Sequence, residues 1–296
     1  MVNQPVFGID LDSAVVASLF GPAAPFSPDA LARLLDESGI DVVVLGGDTL
    51  HPEHPASTEF DASVAAAVLA AASENVGFVI AANPALHHPY NLARRLASLD
   101  HLTHGRVGWL VGARPATKEL EPDYTLPADA VEVARKLWES FPAESVVADT
   151  DRGVFVESEH ITFIDHDGVF AVSGPLNVPE PPQGKPPIFW QAHSDVEFAA
   201  ARRVADVVVA RSQHVPIDEA TPILDAVEWS GSWPNTAPNR FVGTIVRIRG
   251  VAELENAIAR AEGNRRSDRA TLRNRLGLPP SLPAFHGPRR SLFPVS

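Results

Sequence analysis

The stretch VGFVIAANPALHHPYNLARRLASLDHLTHGRVGWLV, residues 76–111, contains a complete strand–helix–strand pattern. Its two ends, Val76–Ala81 and Val107–Val111, are short and nearly continuous apolar runs, which is typical of strands covered on both faces. Between them, Asn91–Leu102 places leucines at positions 92, 96, 99 and 102, the spacing of a helix with one apolar face. This order predicts a parallel βαβ unit.

The same alternation continues on both sides of this stretch. Five further apolar runs predict strands: Val6–Ile9, Val42–Leu45, Pro187–Gln191, Val207–Ala210 and Phe241–Ile248. Further helices are predicted from Pro28, with Ser27 as N-cap, to Ser38, and over Ala62–Ser73, Ala128–Phe141, Val196–Val204 and Val251–Glu262. Seven strands alternating with helices indicate an α/β fold of the TIM-type (β/α)₈ barrel class. Such a barrel needs eight strands, so this one either lacks a unit or is closed by a segment without a clear strand pattern.

Two stretches interrupt the alternation. Residues 146–187 contain Asp, Gly and Pro between short alternating pieces, which predicts an inserted hairpin excursion. Residues 263–296 are rich in Arg and Pro and predict a C-terminal arm. We therefore expect one barrel over residues 1–262 followed by an arm over 263–296. An arm of this composition packs well on a neighbouring subunit, so we expect a homodimer.

The composition excludes several classes of protein. The 296 residues contain no cysteine, which rules out disulfides and cysteine-ligated metals. The 37 acidic residues against 24 basic ones give a net charge of −13, which disfavours binding to nucleic acid. No apolar run approaches 18 residues, and the first residues lack the pattern of a signal peptide. We expect a cytoplasmic protein that does not associate with membranes.

Two motifs of the quoted stretch, HPYNLARRLASLDHL (88–102) and GRVGW (105–109), resemble the bacterial luciferase-like flavin monooxygenases. The resemblance is to the branch that contains nitrilotriacetate and dibenzothiophene-sulfone monooxygenases. It covers about residues 40–212 and resumes near residue 271. Further segments match in the same order: residues 131–140, the GPLN and PQG motifs within 170–186, Gln191-Ala192, Ala205-Asp206 and residues 271–279.

The resemblance implies a TIM-type barrel that uses reduced FMN, supplied by a separate reductase, and O₂ to oxidise a small organic substrate. Its site is implied at the carboxyl ends of the strands, where the βα loops meet. Relatives of this fold also use a deazaflavin, so this cofactor is an alternative. In either case the cofactor carries the oxidative chemistry, and the protein orients it and excludes water.

The resemblance also implies roles for individual residues. His88, at the start of the helix after the third strand, is implied as the catalytic residue, because an imidazole there can deliver a proton during the oxygen chemistry. A structural alternative is that His88 caps and packs the helix. The implied flavin-binding residues are Asp48, Asn83, Tyr90, Tyr124, Gln191 and Ser194. The turn-forming role of Asp48 and Asn83 is the alternative for those two residues.

The chain departs from the family at two places. An apolar side chain, Leu110, stands at the position of a flavin-facing asparagine, and a lost hydrogen bond there costs roughly 1–3 kcal/mol. The loop that receives the flavin phosphate carries His193, Asp195 and Phe198, and keeps only Ser194. These departures leave two hypotheses, a working flavin enzyme or a degenerate barrel without cofactor that acts as a binding or subunit-type partner. The H-x-x-H pairs at 51/54 and 101/104 lack an aimed carboxylate, so no metal site is expected.

Overall fold

The computed structural model describes residues 5–46, 60–112, 124–215, 221–234, 241–261, 270–285 and 289–293. The strands are β1 (Val6–Leu11), β2 (Val42–Leu45), β3 (Gly77–Ala82), β4 (Val107–Val111), β5 (Val146–Asp149), β6 (Val154–Val156), β7 (Ile164–Asp167), β8 (Ala171–Gly174), β9 (Ile188–Ala192), β10 (Val207–Ala210), β11 (Ile223–Glu228) and β12 (Gly243–Ile248). The helices are α1 (Ser13–Phe20), α2 (Pro28–Ser38), α3 (Ala62–Ala70), α4 (Pro89–Leu102), α5 (Thr125–Glu139), α6 (Asp195–Ala201), α7 (Val251–Arg260) and α8 (Leu272–Arg275).

Eight parallel strands close into a barrel in the order β1–β2–β3–β4–β9–β10–β11–β12, and β12 returns to β1. The predicted α/β barrel is therefore confirmed. It is complete, and a segment without a clear strand pattern in the sequence supplies the eighth strand. The eighth strand is β11, which the sequence did not reveal because its ILDAVE pattern carries two acidic residues. Asp225 is buried outside the barrel and accepts a hydrogen bond from Ser212 at 3.0 Å, while Glu228 ends the strand.

Closure brings β1 and β12 very close together. Val6 pairs with Gly243, and a Cβ atom at position 243 would overlap the backbone of Val6. Glycine is therefore needed where the last strand meets the first.

The barrel has separate inner and outer cores. Alternate strand residues point to its interior, where Val44, Val79, Leu110 and Leu224 belong to one apolar cluster. The opposite faces pack against the helices in a larger cluster. This division explains why the strands are apolar on nearly every residue.

The helices begin and end close to their predicted limits. Ser27 accepts a hydrogen bond from the N–H of Ala30 and caps α2, and Gly39 ends that helix with a φ of 81°. The leucine stripe of α4 is buried as expected except at Leu102, which is 70% exposed because it lies on the last turn. The sequence also missed α1, an apolar helix that Asp12 caps by accepting from the N–H of Val15 at 2.9 Å.

The predicted excursion forms two antiparallel hairpins, β5–β6 and β7–β8. The described part of the predicted arm packs against its own barrel. Leu272 and Leu276 enter the interior cluster at the amino ends of the strands. Arg275 donates to the carbonyl oxygens of Asp41 and Asn75, which precede β2 and β3. Among the described residues, no helix has both the length and the apolar character to cross a bilayer.

Candidate active site

The carboxyl ends of the barrel strands meet at one mouth, which carries polar side chains above the apolar interior. Gln191 lies two residues beyond Phe189, which belongs to the interior cluster. The same alternation turns Glu228 inward, since it lies four residues after Leu224. The polar set is completed by the ends of the neighbouring strands, Asp10 on β1, Arg211 after β10, and Arg247 and Arg249 at the end of β12.

Three arginines converge on one carboxylate at this mouth. The guanidinium groups of Arg211 and Arg249 each lie 3.1 Å from an oxygen of Glu228, and that of Arg247 lies 3.8 Å away. Arg247 also lies 3.6 Å from the buried carboxylate of Asp10. These five residues, here called the arginine cluster, carry three positive charges against two negative ones. The cluster therefore has a net charge of +1 in a chain whose net charge is −13.

Sequence analysis missed the arginine cluster. Its members lie on strands that become neighbours only after β11 and β12 complete the barrel. The available signal was the charged residue that ends each of these strands at an inward position, at 211, 228 and 247.

The loop between β9 and α6, for which the family resemblance implied binding of the flavin phosphate, is closed by its own side chains. Ser194 accepts a hydrogen bond from the N–H of Glu197 at 3.2 Å, and the Glu197 carboxylate accepts from the N–H of His193 at 2.9 Å. This arrangement resembles a capping box, which satisfies both donors without a ligand. Asp195 adds an exposed negative charge, and Phe198 is buried in the outer core.

Asn83 lies just after β3 and is buried at the mouth. Its side-chain oxygen accepts from the N–H of Ala85 at 2.9 Å, the turn-forming role that sequence analysis gave as the alternative. Gly112 lies beside it, and a Cβ atom there would come within 2.9 Å of the Asn83 Cβ. Leu110 is buried in the interior cluster beneath this level, so it contributes an apolar surface there.

His88 and Tyr90 lie at the start of α4. The Nδ1 atom of His88 accepts from the N–H of Tyr90 at 3.3 Å, so His88 caps the helix, and its exposed ring meets the edge of Phe170. The Tyr90 hydroxyl donates to the carbonyl of Pro175 at 3.2 Å and ties α4 to the excursion. The catalytic role of His88 and the flavin contact of Tyr90 stay predictions.

The other predicted flavin residues are dispersed. Tyr124 is half-buried, with its ring 6.1 Å from that of Trp190 on the outer face of β9. Gln191 reaches the mouth, whereas Ser194 is used as the cap of α6. Asp48 lies outside the described residues. The structure thus brings Asn83 and Gln191 to the mouth and gives Ser194 a structural partner.

The family motifs also contribute residues at the opposite end of the barrel. Asp100 is fully buried and accepts from the Gln183 side-chain amide at 2.6 Å and from the N–H of Val107 at 3.2 Å. The Gln183 side-chain oxygen accepts from the N–H of Arg273. Burial raises the pKa of Asp100 to about 6, and the bonds from Gln183 and Val107 offset only part of this. These residues join α4, the PQG motif and α8, and therefore hold the barrel together.

A second buried network lies beside α5. Lys185 donates to the Glu139 carboxylate at 2.8 Å and to the carbonyl of Leu282 at 2.7 Å. Burial alone would raise the pKa of Glu139, but bonds from the Ala284 N–H and Lys185, and the charges of Lys185 and Arg289, hold it below its usual value. This network fixes the segment after α8 against the barrel.

His101 and His104 belong to no group of three close ligand side chains among the described residues. His101 contacts the carbonyl of Pro179 at 3.1 Å through Nε2, and the 51/54 pair lies outside the described residues. The described part contains a group of three side chains with mutually close ligand atoms, Glu157, Glu159 and His160, on the surface of the excursion.

Comparison with known proteins gives the family. The family model described as luciferase-like monooxygenase matches residues 27–230. A subunit of pristinamycin IIA synthase from Streptomyces pristinaespiralis is 32% identical over 268 residues, which are 87% of this chain and 91% of that protein. Nitrilotriacetate monooxygenase component A from Aminobacter aminovorans is 38% identical over 159 residues.

The extent of these matches differs. The aligned part covers 50% of this chain but only 35% of nitrilotriacetate monooxygenase component A, so this chain spans about a third of that relative. Among solved structures, EDTA monooxygenase from a Chelativorans species superposes with a TM-score of 0.68 at 19% identity, over 93% of this chain and 99% of that one. That likeness concerns the fold. The match of the family model over more than half of the chain, together with the closed barrel, shows that this protein belongs to the luciferase-like monooxygenase family.

Proposed function

We propose that this protein is a flavin-dependent monooxygenase or oxidoreductase that uses reduced FMN and O₂ on a small organic substrate. The observation that carries the proposal is the mouth of the barrel, where Asp10, Asn83, Gln191 and the arginines lie above an apolar interior in a luciferase-like chain. The match to a synthase component over most of both chains supports an enzymatic role for a chain of this length.

The residues at the mouth fit a flavin. A flat aromatic ring system needs apolar contact over its faces and hydrogen-bonding groups at its edges. Leu110 and Val79 supply an apolar floor, and Asn83 and Gln191 supply amide groups that both donate and accept. When bound, reduced flavin supplies the electrons with which O₂ is activated.

The protein's own residues would bind and orient the flavin and would supply a proton to the reaction. The interior cluster excludes water from below the ring, because its members are almost fully buried. His88 is our proposed proton donor. Its Nδ1 atom accepts from Tyr90, so the neutral ring carries its proton on Nε2, which is then available to donate. We expect His88→Gln to lower kcat, while KM changes little.

The function is tested by an anaerobic titration of the protein with reduced FMN, followed by absorbance and fluorescence. We expect saturable binding at micromolar concentration, and O₂ uptake beyond that of free flavin when a flavin reductase and NADH are added. Binding of a deazaflavin alone would instead assign a hydride-transfer reaction. Absence of binding by either cofactor would favour the non-catalytic partner.

The separate reductase is a proposal on the same basis. The relative from Aminobacter aminovorans is described as a component of its monooxygenase, which supports a second protein that delivers the flavin. We expect reduced FMN from an unrelated reductase to sustain turnover, because this flavin can diffuse between proteins. Turnover restricted to one reductase held in a complex would contradict this expectation.

The homodimer is also a proposal. The described part of the arm packs on its own barrel, so the arm does not support the expectation of a dimer. A groove of about 990 Å³ runs between α3 and α4 instead, and Val64, Val68, Leu86 and Leu102 are exposed along it. Apolar side chains concentrated on one face mark an interface. Light scattering tests the proposal, with Val64→Glu expected to yield a monomer and a monomeric wild type refuting it.

A further inference from the structure

We propose that the arginine cluster at the barrel mouth binds the anionic group of a ligand, either the phosphate of the flavin or a carboxylate or phosphate of the substrate. The inference rests on the proposed function for the identity of the ligand, but the anion site itself follows from the geometry of the cluster.

The first argument is the position of the positive charges. Arg211, Arg247 and Arg249 follow or end β10 and β12, and they converge on Glu228, which ends the intervening strand β11. The strands turn Arg211 and Arg247 toward the barrel axis, because the residues two positions before each of them pack in the interior cluster. The cluster therefore faces the space in which a ligand at the mouth must lie.

The second argument is the surplus of charge and donors. Two carboxylates, Glu228 and Asp10, face three guanidinium groups, each of which carries five N–H donors, so the cluster keeps one positive charge in excess. Arg211 and Arg249 are about half exposed, and Arg247, with Asp10 beneath it, is mostly buried. The arrangement is thus open on the solvent side and fixed on the barrel side. An incoming anion would gain charge-assisted, bidentate hydrogen bonds, for which arginine is better shaped than lysine.

The third argument is that the alternative anion site is closed. The loop before α6 has satisfied two of its N–H groups with Ser194 and the Glu197 carboxylate, and Asp195 adds a further negative charge. A phosphate dianion would be repelled there and attracted to the arginines. The anion site proposed here therefore lies at the ends of the sixth, seventh and eighth barrel strands, and the loop after the fifth strand is a poor alternative.

The test compares ligands with and without the charge. Reduced FMN and reduced riboflavin, which lacks the phosphate, are titrated anaerobically against the wild type and the double variant Arg211→Gln/Arg249→Gln. Inorganic phosphate and citrate are titrated by calorimetry against the same proteins, with and without riboflavin. The matched control is Arg152→Gln, which removes an exposed, ion-paired arginine from the distant β5–β6 hairpin.

If the flavin phosphate is the ligand, the wild type prefers FMN over riboflavin by about tenfold or more, and the double variant loses this preference while riboflavin binding is unchanged. If a substrate anion is the ligand, FMN and riboflavin bind alike, but phosphate or citrate binds the riboflavin complex and the double variant loses this binding. Either result supports the site, provided that Arg152→Gln behaves as the wild type.

The proposal is overturned if FMN, phosphate and citrate bind the double variant and the control equally. Failure of the proposed function would give a different result from failure of the anion site. In that case neither flavin binds the wild type, while loss of phosphate or citrate binding in the double variant still supports the anion site.

Discussion

Asp100 gives a sharp prediction for stability. This carboxyl group is fully buried, and its pKa is raised from the ordinary 3.8 to about 6. A group that holds its proton more strongly in the folded chain stabilises the fold fully below pH 4, and this stabilisation is lost as the pH rises through 6. A rise of this size corresponds to about 3 kcal/mol of unfolding free energy.

The perturbation is Asp100→Asn, which keeps the size of the side chain and removes its ionisation. In the variant, an NH₂ group replaces one carboxylate oxygen of Asp100. The backbone N–H of Gln183, which donates to Asp100 at 3.3 Å, then faces a donor and loses its hydrogen bond. This cost is constant with pH. The difference in unfolding free energy between variant and wild type should therefore shift by about 2–3 kcal/mol in favour of the variant between pH 4 and pH 7.

Urea unfolding followed by tryptophan fluorescence at four pH values measures this difference. Subtracting the wild type cancels the titration of all other groups, because they are common to both proteins. Asp151→Asn, in the exposed turn of the β5–β6 hairpin, serves as the matched change of one carboxylate. A difference that stays within about 0.5 kcal/mol across the range for Asp100→Asn would refute the argument.

Three further outcomes are expected. Lys185→Met removes one of the partners of the buried Glu139 carboxylate, which keeps Arg289 and the Ala284 N–H, and should cost about 1–3 kcal/mol in urea unfolding, of which Lys185→Met/Glu139→Gln recovers at least half; no recovery would contradict the ion-pair explanation. Leu272→Ala should lower the unfolding free energy by about 2–5 kcal/mol in thermal denaturation, because its side chain fills the barrel interior, whereas a neutral effect would contradict that packing. Glu228→Gln should tighten the binding of inorganic phosphate measured by calorimetry, since it removes a competing anion from the arginines, and weaker binding would contradict the anion site.

Much of the fold could be predicted because the buried strands have a clear sequence pattern. Seven of the eight barrel strands are apolar on nearly every residue, which follows from burial on both faces. β11 was not predicted, because it contains two charged residues, Asp225 and Glu228. Their partners, Ser212 and the arginines, come from other elements. The sequence shows these residues as charges in a short segment, and only the closed barrel shows what balances them.

The candidate site was harder to predict for a related reason. Residues such as His88, Tyr90 and Ser194 were identified by motif, and the structure gives each a local partner at a helix start or in the excursion. The arginine cluster has no motif, because Arg211, Glu228 and Arg247 are charges at the ends of three successive strands and Asp10 lies on the first strand of the chain. Local sequence patterns reveal helix caps and apolar helix faces. A site whose residues come together only when the barrel closes can be predicted only when the order of the strands is known.

The insertion of α8 into the barrel has a consequence for biosynthesis. Arg275 bonds to Asp41 across 234 residues of sequence, and Leu272 lies against the amino ends of strands made long before it. Long-range contacts of this kind form slowly, since a large loop must first be closed. During translation, the amino ends of the strands therefore stay open to water until residues 272–276 have been made. In the order of synthesis, α8 follows β12, so this end of the barrel is covered only after the strand that pairs with β1 has been made.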